Sequence, residues 1–168
     1  MYLFLDSSKS NILFSLFTDT EIIKIVNIES NQDHTIKLYE AFKELDINYK
    51  DIDRLYVVNG PGSYTGLRIG MIFAKTIAME YSVPIYPVGL MEIMYLSADR
   101  KKVALDAKGK RFYVFDGINT SIIPTQEVTD EVICEELDLS KILLNEYVSN
   151  IKAVNYRDLD INYVKPAI

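Results

Sequence analysis

The stretch Val57-Val58-Asn59-Gly60-Pro61-Gly62-Ser63-Tyr64-Thr65-Gly66-Leu67-Arg68-Ile69-Gly70 decides how this chain folds. It opens inside a continuous apolar run, Leu55 to Val58, the mark of a strand buried on both faces. It closes in a helix expected from about Leu67 to Tyr81. A strand, a glycine loop and a helix in that order can hold an anion on backbone N–H groups. No Gly-Lys-[Ser/Thr] follows, so this is not a Walker loop. Three residues rather than two separate Gly62 from Gly66, which departs from the dinucleotide fingerprint. The other reading is a tight turn with Ser63 or Thr65 capping the helix. With no lysine or metal ligand beside the loop, the residues favour the turn.

Gly66, Gly70, Ala74 and Ala78 are spaced four apart and form a stripe along that helix. Each helical glycine costs about 1 kcal/mol relative to alanine, which makes sense where another backbone approaches closely. That backbone is the protein's own or a second chain's, and the spacing leaves both open. Met71, Phe73 and Ile77 lie on the opposite face, so the helix is apolar most of the way round, as in a helix that is buried or covered by a partner.

Upstream, Tyr2 to Leu5, Ile12 to Phe17 and Glu21 to Ile28 read as three antiparallel strands. Asp33-His34-Thr35 opens a helix on which Ile36, Tyr39, Phe42 and Leu45 recur every three residues. Downstream, Val83 to Tyr86 reads as a strand and Val88 to Leu96 as a helix. The pattern then restarts: Leu105-Asp106 and Phe112-Tyr113-Val114 match Leu5-Asp6 and Ile12-Leu13-Phe14 at a constant offset of 100, as a duplication would give. Asp130 is placed to cap a helix carrying Val132, Ile133 and Leu137. Lys141 to Tyr147 reads as another helix, Ile151 to Val154 as a strand and Tyr163 to Pro166 as an extended tail.

The chain has 168 residues, 49% of them hydrophobic, enough for one domain or two small ones. Its 24 acidic residues outnumber 18 basic ones, and a net charge of −6 argues against gripping nucleic acid alone. The single cysteine, Cys134, excludes an internal disulfide and a thiolate zinc cluster. The single histidine, His34, excludes a two-imidazole site and reads as a capping or surface residue rather than a catalyst. The start, Met1 to Asp6, has no secretory signal, and no apolar run reaches the roughly 18 residues of a membrane helix. A cytoplasmic location is expected. Asp6 and Asp106 stand at strand ends, where they either coordinate a magnesium nucleotide or act as an acid/base pair, or simply form turns. The turn after Asp6 has no glycine to admit a phosphate, which favours the turn reading. Ser8 and Ser63 have no Ser-His-Asp context.

The motif quoted above closely resembles the signature loop and helix of the TsaB (YeaZ) family, accessory subunits in bacterial tRNA threonylcarbamoyladenosine synthesis. Leu5-Asp6-Ser7-Ser8 resembles the family's Leu-Asp-Thr-Ser opening, His34 and Leu38 its His-Ser-x-x-Leu helix, and Leu105 to Lys108 its Asp-Ala-Arg hairpin. Tyr163 to Pro166 resembles its C-terminal Tyr-Leu-Arg segment. Tyr64 replaces the family's Phe, Glu40 a common Pro, and the second half is shorter than the family's. The resemblance implies an α/β, duplicated actin-like ATPase (ASKHA, ribonuclease H-like) fold, with an N-terminal half at 1–97 and a shortened C-terminal half at 98–168.

It also implies a non-catalytic scaffold that pairs with and activates TsaD for threonylcarbamoyl transfer to adenosine 37 of tRNA. The carried-over partner interface is His34, Leu38, Phe42, Leu67, Gly70, Met71, Ala74 and Ala78. ATP and a metal are then expected on partner subunits, with none held by this chain alone. A TsaE-like ATPase joins the assembly, tRNA is met only through the complex, and homodimers form as well. The alternative is a small nucleotide-binding phosphotransferase of the same fold using Asp6 and Asp106. A peptidase, once suggested for relatives, lacks a nucleophile–base pair here.

Overall fold

Strand β1 (Tyr2–Asp6) is buried at every position from Leu3 to Asp6, so it needs neighbours on both edges and cover on both faces. β2 (Asn11–Phe17) pairs with it antiparallel and β4 (Arg54–Gly60) parallel. β3 (Ile22–Glu29) and β5 (Ile85–Gly89) complete a five-stranded sheet of order β3-β2-β1-β4-β5. The structure is a computed structural model and describes residues 1–30, 33–129, 132–133 and 136–164.

Strand alternation divides the apolar side chains between two cores. Leu3, Leu5, Phe14, Leu55 and Val57 face helices α1 (His34–Glu44) and α2 (Tyr64–Tyr81). Phe4, Leu13, Phe17, Tyr56 and Val58 face the other way, onto α3 (Leu90–Ser97). The run Leu55 to Val58 is therefore buried on both faces, as its continuous apolar character implies. Residues 88–89 close β5, and α3 starts only at Leu90.

The second sheet repeats the first in outline. β6 (Val103–Lys108), β7 (Arg111–Phe115), β8 (Thr120–Pro124) and β9 (Val132–Ile133) run in the order β8-β7-β6-β9. In each sheet the first strand pairs antiparallel with the second and parallel with the fourth. Among the described residues the second sheet has no counterpart of β5. The match is of topology rather than register: Leu5 pairs with Phe14, whereas Leu105 pairs with Tyr113, because β6 and β7 join through a tighter turn.

Three expectations for the second half need correction. Val132–Ile133 is a strand paired to Val103 and Ala104, not part of a helix, because β6 offers an open edge there. Asp130 and Cys134 lie outside the described residues, as do Lys165 and Pro166 of the tail. One helix from Lys141 to Tyr147 is instead two short ones, α4 (Leu139–Leu143) and α5 (Glu146–Asn150), each with its own side-chain cap, Asp138 and Asn145. Ile151 to Val154 makes only an isolated bridge, Val154 to Ile85.

That bridge begins a return onto the first half. Leu159 is buried in the core under α1 and α2, and the Asn162 N–H donates to the Asn59 carbonyl at 2.8 Å. The closing segment thus packs on the sheet that the chain laid down first. Leu159→Ala should destabilise the protein by about 2–4 kcal/mol in denaturant titration. A loss under about 0.5 kcal/mol would mean that the return is not part of the cooperative core.

Candidate functional site

Ser63 caps α2, its Oγ accepting from the Gly66 N–H at 3.2 Å, so the helix starts at Tyr64, three residues before the apolar pattern does. The Ser63 N–H itself donates to the Ser8 carbonyl at 2.6 Å. A Cβ on Gly62 would lie 2.5 Å from that same carbonyl oxygen. One on Gly66 would overlap the Ser7 carbonyl, and one on Gly70 the Ser7 hydroxyl. That hydroxyl donates to the Gly66 carbonyl at 2.8 Å. The backbone that approaches the glycine stripe is therefore the protein's own β1–β2 turn, and the loop folds against protein backbone.

This relocates most of the residues assigned to a partner interface. Leu38, Phe42, Leu67, Met71, Ala74 and Ala78 are buried in the intramolecular core, and Gly70 lies on Ser7. His34 begins α1 half-buried beside Gly66, with its Nε2 buried and without a hydrogen-bond partner. The same two helices present a different set outward. Ile36, Tyr39 and Ile72 are 58%, 64% and 67% exposed. Tyr39 and Ile72 border a groove of about 370 Å³ lined also by Leu38, Phe42, Ile69 and Phe73, among others. Its floor is aromatic: Phe42 stacks on Tyr49 at 4.8 Å and lies 5.1 Å from Phe73, and Tyr49 stacks on Tyr81 at 5.1 Å.

The three-residue recurrence on α1 mixes its inward and outward faces. Steps of three turn the helix back by about 60° each, so Ile36 and Leu45 end on opposite sides. The buried stripe is Leu38, Ala41, Phe42 and Leu45, at the i, i+3, i+4, i+7 spacing of a core face. Ile36 and Tyr39 are left outside. Tyr49, in a short 3-10 turn (Tyr49–Asp51), carried no sequence signal for a role in the groove.

The two aspartates form turns in different surroundings. Asp6 Oδ1 accepts from the Ser8 N–H at 2.8 Å and the Ser8 hydroxyl at 2.5 Å. Burial pushes its carboxyl above the ordinary range, against the opposing effects of the Ser8 bonds and Lys9. Asp106 Oδ1 accepts from the Lys108 N–H at 2.7 Å, and this bond, with a weaker contribution from the Lys108 ammonium, holds its carboxyl below the ordinary range. They line separate cavities. Asp6 faces one of about 400 Å³ against Glu136 to Ser140. Asp106 faces one of about 690 Å³ between the β1–β2 and β6–β7 turns. Among the described residues, no three of His, Cys, Asp and Glu come together as metal ligands would.

Residues 29–162 match the family described as TsaD, tRNA N6-adenosine threonylcarbamoyltransferase. The Bacillus subtilis "tRNA threonylcarbamoyladenosine biosynthesis protein TsaB" is 30% identical over 94 residues, 54% of this chain and 41% of its own. The protein of that name from Buchnera aphidicola is 27% identical over 124 residues, 67% of this chain and 59% of its own. This chain thus spans about half the length of these relatives. The tRNA N6-adenosine threonylcarbamoyltransferase of Bacillus subtilis is 30% identical over 105 residues, 62% of this chain and 30% of its own. Among solved structures, a Pseudomonas aeruginosa protein described as similar to the peptidase YeaZ superposes with a TM-score of 0.81 at 16% identity, covering 98% of this chain and 100% of that one. The fold is that of YeaZ.

Two outcomes follow from the turn geometry. Gly66→Ala, which would gain about 1 kcal/mol in an open helix, should instead destabilise by about 1–3 kcal/mol, because the new methyl meets the Ser7 carbonyl. A rise in melting temperature would contradict the packing. Asp6 holds its proton to higher pH folded than unfolded. Its contribution to stability is fullest below the unfolded pKa of about 3.9 and declines as pH rises through the folded value. Asp6→Asn keeps the oxygen that accepts from Ser8 and removes the decline. Melting curves from pH 4 to 8 should show the variant gaining on the parent as pH rises; parallel curves would refute the burial effect.

Proposed function

The chain belongs to the TsaD family, and we propose that it falls in the TsaB/YeaZ group as a non-catalytic subunit that pairs with a TsaD-like protein to support threonylcarbamoyl transfer to adenosine in tRNA. The observation that carries this reading is the groove between α1 and α2. Its aromatic floor and exposed Tyr39 and Ile72 make an apolar seat for the ridge of a partner helix. The closed turn supports it from the other side. The Ser63 N–H and the glycine faces that would cradle an anion are occupied by Ser7 and Ser8. Asp6, though it borders the cavity of about 400 Å³, is buried with its Oδ1 engaged by Ser8 in an Asx turn.

In this assembly ATP and the metal sit on the partner subunits. A TsaE-like ATPase joins the pair, and tRNA is reached through the complex in the cytoplasm. Among the described residues no helix is long and apolar enough to cross a membrane. A second copy of the chain competes for the same groove when the TsaD-like protein is absent.

Co-purification with the TsaD-like protein, followed by a modification assay with and without this chain, tests the proposal. Ile72→Arg and Tyr39→Glu should each weaken pairing by about 30-fold or more, the scale of a hot-spot residue. Both side chains are largely exposed in the free chain, so its melting temperature should stay within about 3 °C. Gly70→Arg should unfold the chain instead. Undiminished pairing by both exposed-face variants would refute the groove as the seat.

A further inference from the structure

The tip of the β6–β7 hairpin is Lys108-Gly109-Lys110-Arg111, three cations in four residues of a chain whose net charge is −6. Lys108 pairs with Arg111 across the tip, so Gly109 and Lys110 are the two central turn residues. Their φ values are 62° each, as a type I′ hairpin requires, and Lys108 is at 65° beside the bulge between Asp106 and Lys108. Glycine or asparagine suits such positions. Two lysines stand there instead, so the local rule is broken where the charge is gained.

The Asp106 carboxylate bonds to Lys108. Among the described residues, Lys110 and Arg111 make no ion pair and no side-chain hydrogen bond. A Cβ added to Gly109 would meet nothing within 4 Å, so the tip projects into open space. Lys108 also lines the 690 Å³ cleft, opposite Lys9, His34 and Tyr64. His34 and Tyr64 begin α1 and α2, the helices that form the groove, and neither helix has an acidic residue in its first turn. The basic tip therefore stands at the N-terminal end of the proposed partner surface.

We propose that Lys108, Lys110 and Arg111 contact the phosphate backbone of the tRNA held by the assembled complex. This rests on the functional reading above. The contact is sequence-independent and positions the RNA; it does not read bases. It also reconciles the acidic balance of the chain with an RNA substrate, since the partner supplies most of the phosphate contacts and this hairpin adds a few at the rim.

The test uses the complex of this chain with its TsaD-like partner and an unmodified tRNA transcript, with affinity measured from 50 to 300 mM KCl. Lys110→Gly with Arg111→Gln removes two charges and relieves one strained position. The double variant should lose on the order of tenfold in affinity at 0.1 M salt, and the slope of log K against log salt should flatten by about 2. Its melting temperature should not fall, and pairing should be unchanged. Lys110→Arg should bind as the parent does. Unchanged affinity and slope with intact pairing would overturn the RNA contact. Loss of pairing in the double variant would assign the tip to the partner protein and overturn it too. Failure of the parent chain to pair would instead sink the functional reading, and this inference with it.

Discussion

The structure depends on one contact, the β1–β2 turn laid against the backbone of the glycine loop and α2. Ser8 accepts from Ser63, Ser7 donates to Gly66, and Gly62, Gly66 and Gly70 provide the clearance. A Cβ at Gly66 would meet the Ser7 carbonyl and one at Gly70 the Ser7 hydroxyl, so either would strain the seating of α2 on the sheet. α2 carries Leu67, Met71, Ala74, Ile77 and Ala78 into the core, so the cover of the first half depends on that seating. The glycines that weaken the helix locally are thus the condition for its docking.

The same contact sets what remains outside. With the small-residue stripe turned inward, α2 presents Ile72 and half-buried Ile69 and Phe73 beside α1, and the groove between them is lined by aromatic and branched side chains. A soluble surface rarely exposes a contiguous apolar patch without a use for it. The proposed occupant is a helix of the TsaD-like partner. The second half then differs in kind. Among the described residues it repeats the strand order of the first over four strands, and its hairpin tip concentrates Lys108, Lys110 and Arg111.

The first sheet and its two outer helices were legible in the sequence because alternation, caps and glycine punctuation agree there. Leu55 to Val58 could only be a doubly buried strand, and Ser63 was one of two readable caps. The second half was less legible because its elements are short. Two residues, Val132 and Ile133, suffice to pair with β6, and no local pattern distinguishes them from a helix turn. The groove was half legible: the resemblance points to the right helices. Of the interface residues it implies, Leu38 and Phe42 line the groove, while Leu67, Met71, Ala74 and Ala78 are buried in the chain's own core. Apolar content alone does not tell the two faces of a helix apart when both are apolar. Only the Ser7 contact, 59 residues away in sequence from Gly66, decides it.

The central claim is that the α1–α2 groove is the surface a TsaD-like protein covers. Oxidative footprinting of the free chain and of the chain mixed with that partner tests it directly, because Tyr39 and Ile72 are exposed reporters on the two helices. The account predicts strong protection of Tyr39 and Ile72 in the mixture, with exposed Ile118 of the second half remaining reactive. Protection confined to the second half, with Tyr39 and Ile72 as reactive as in the free chain, would contradict it.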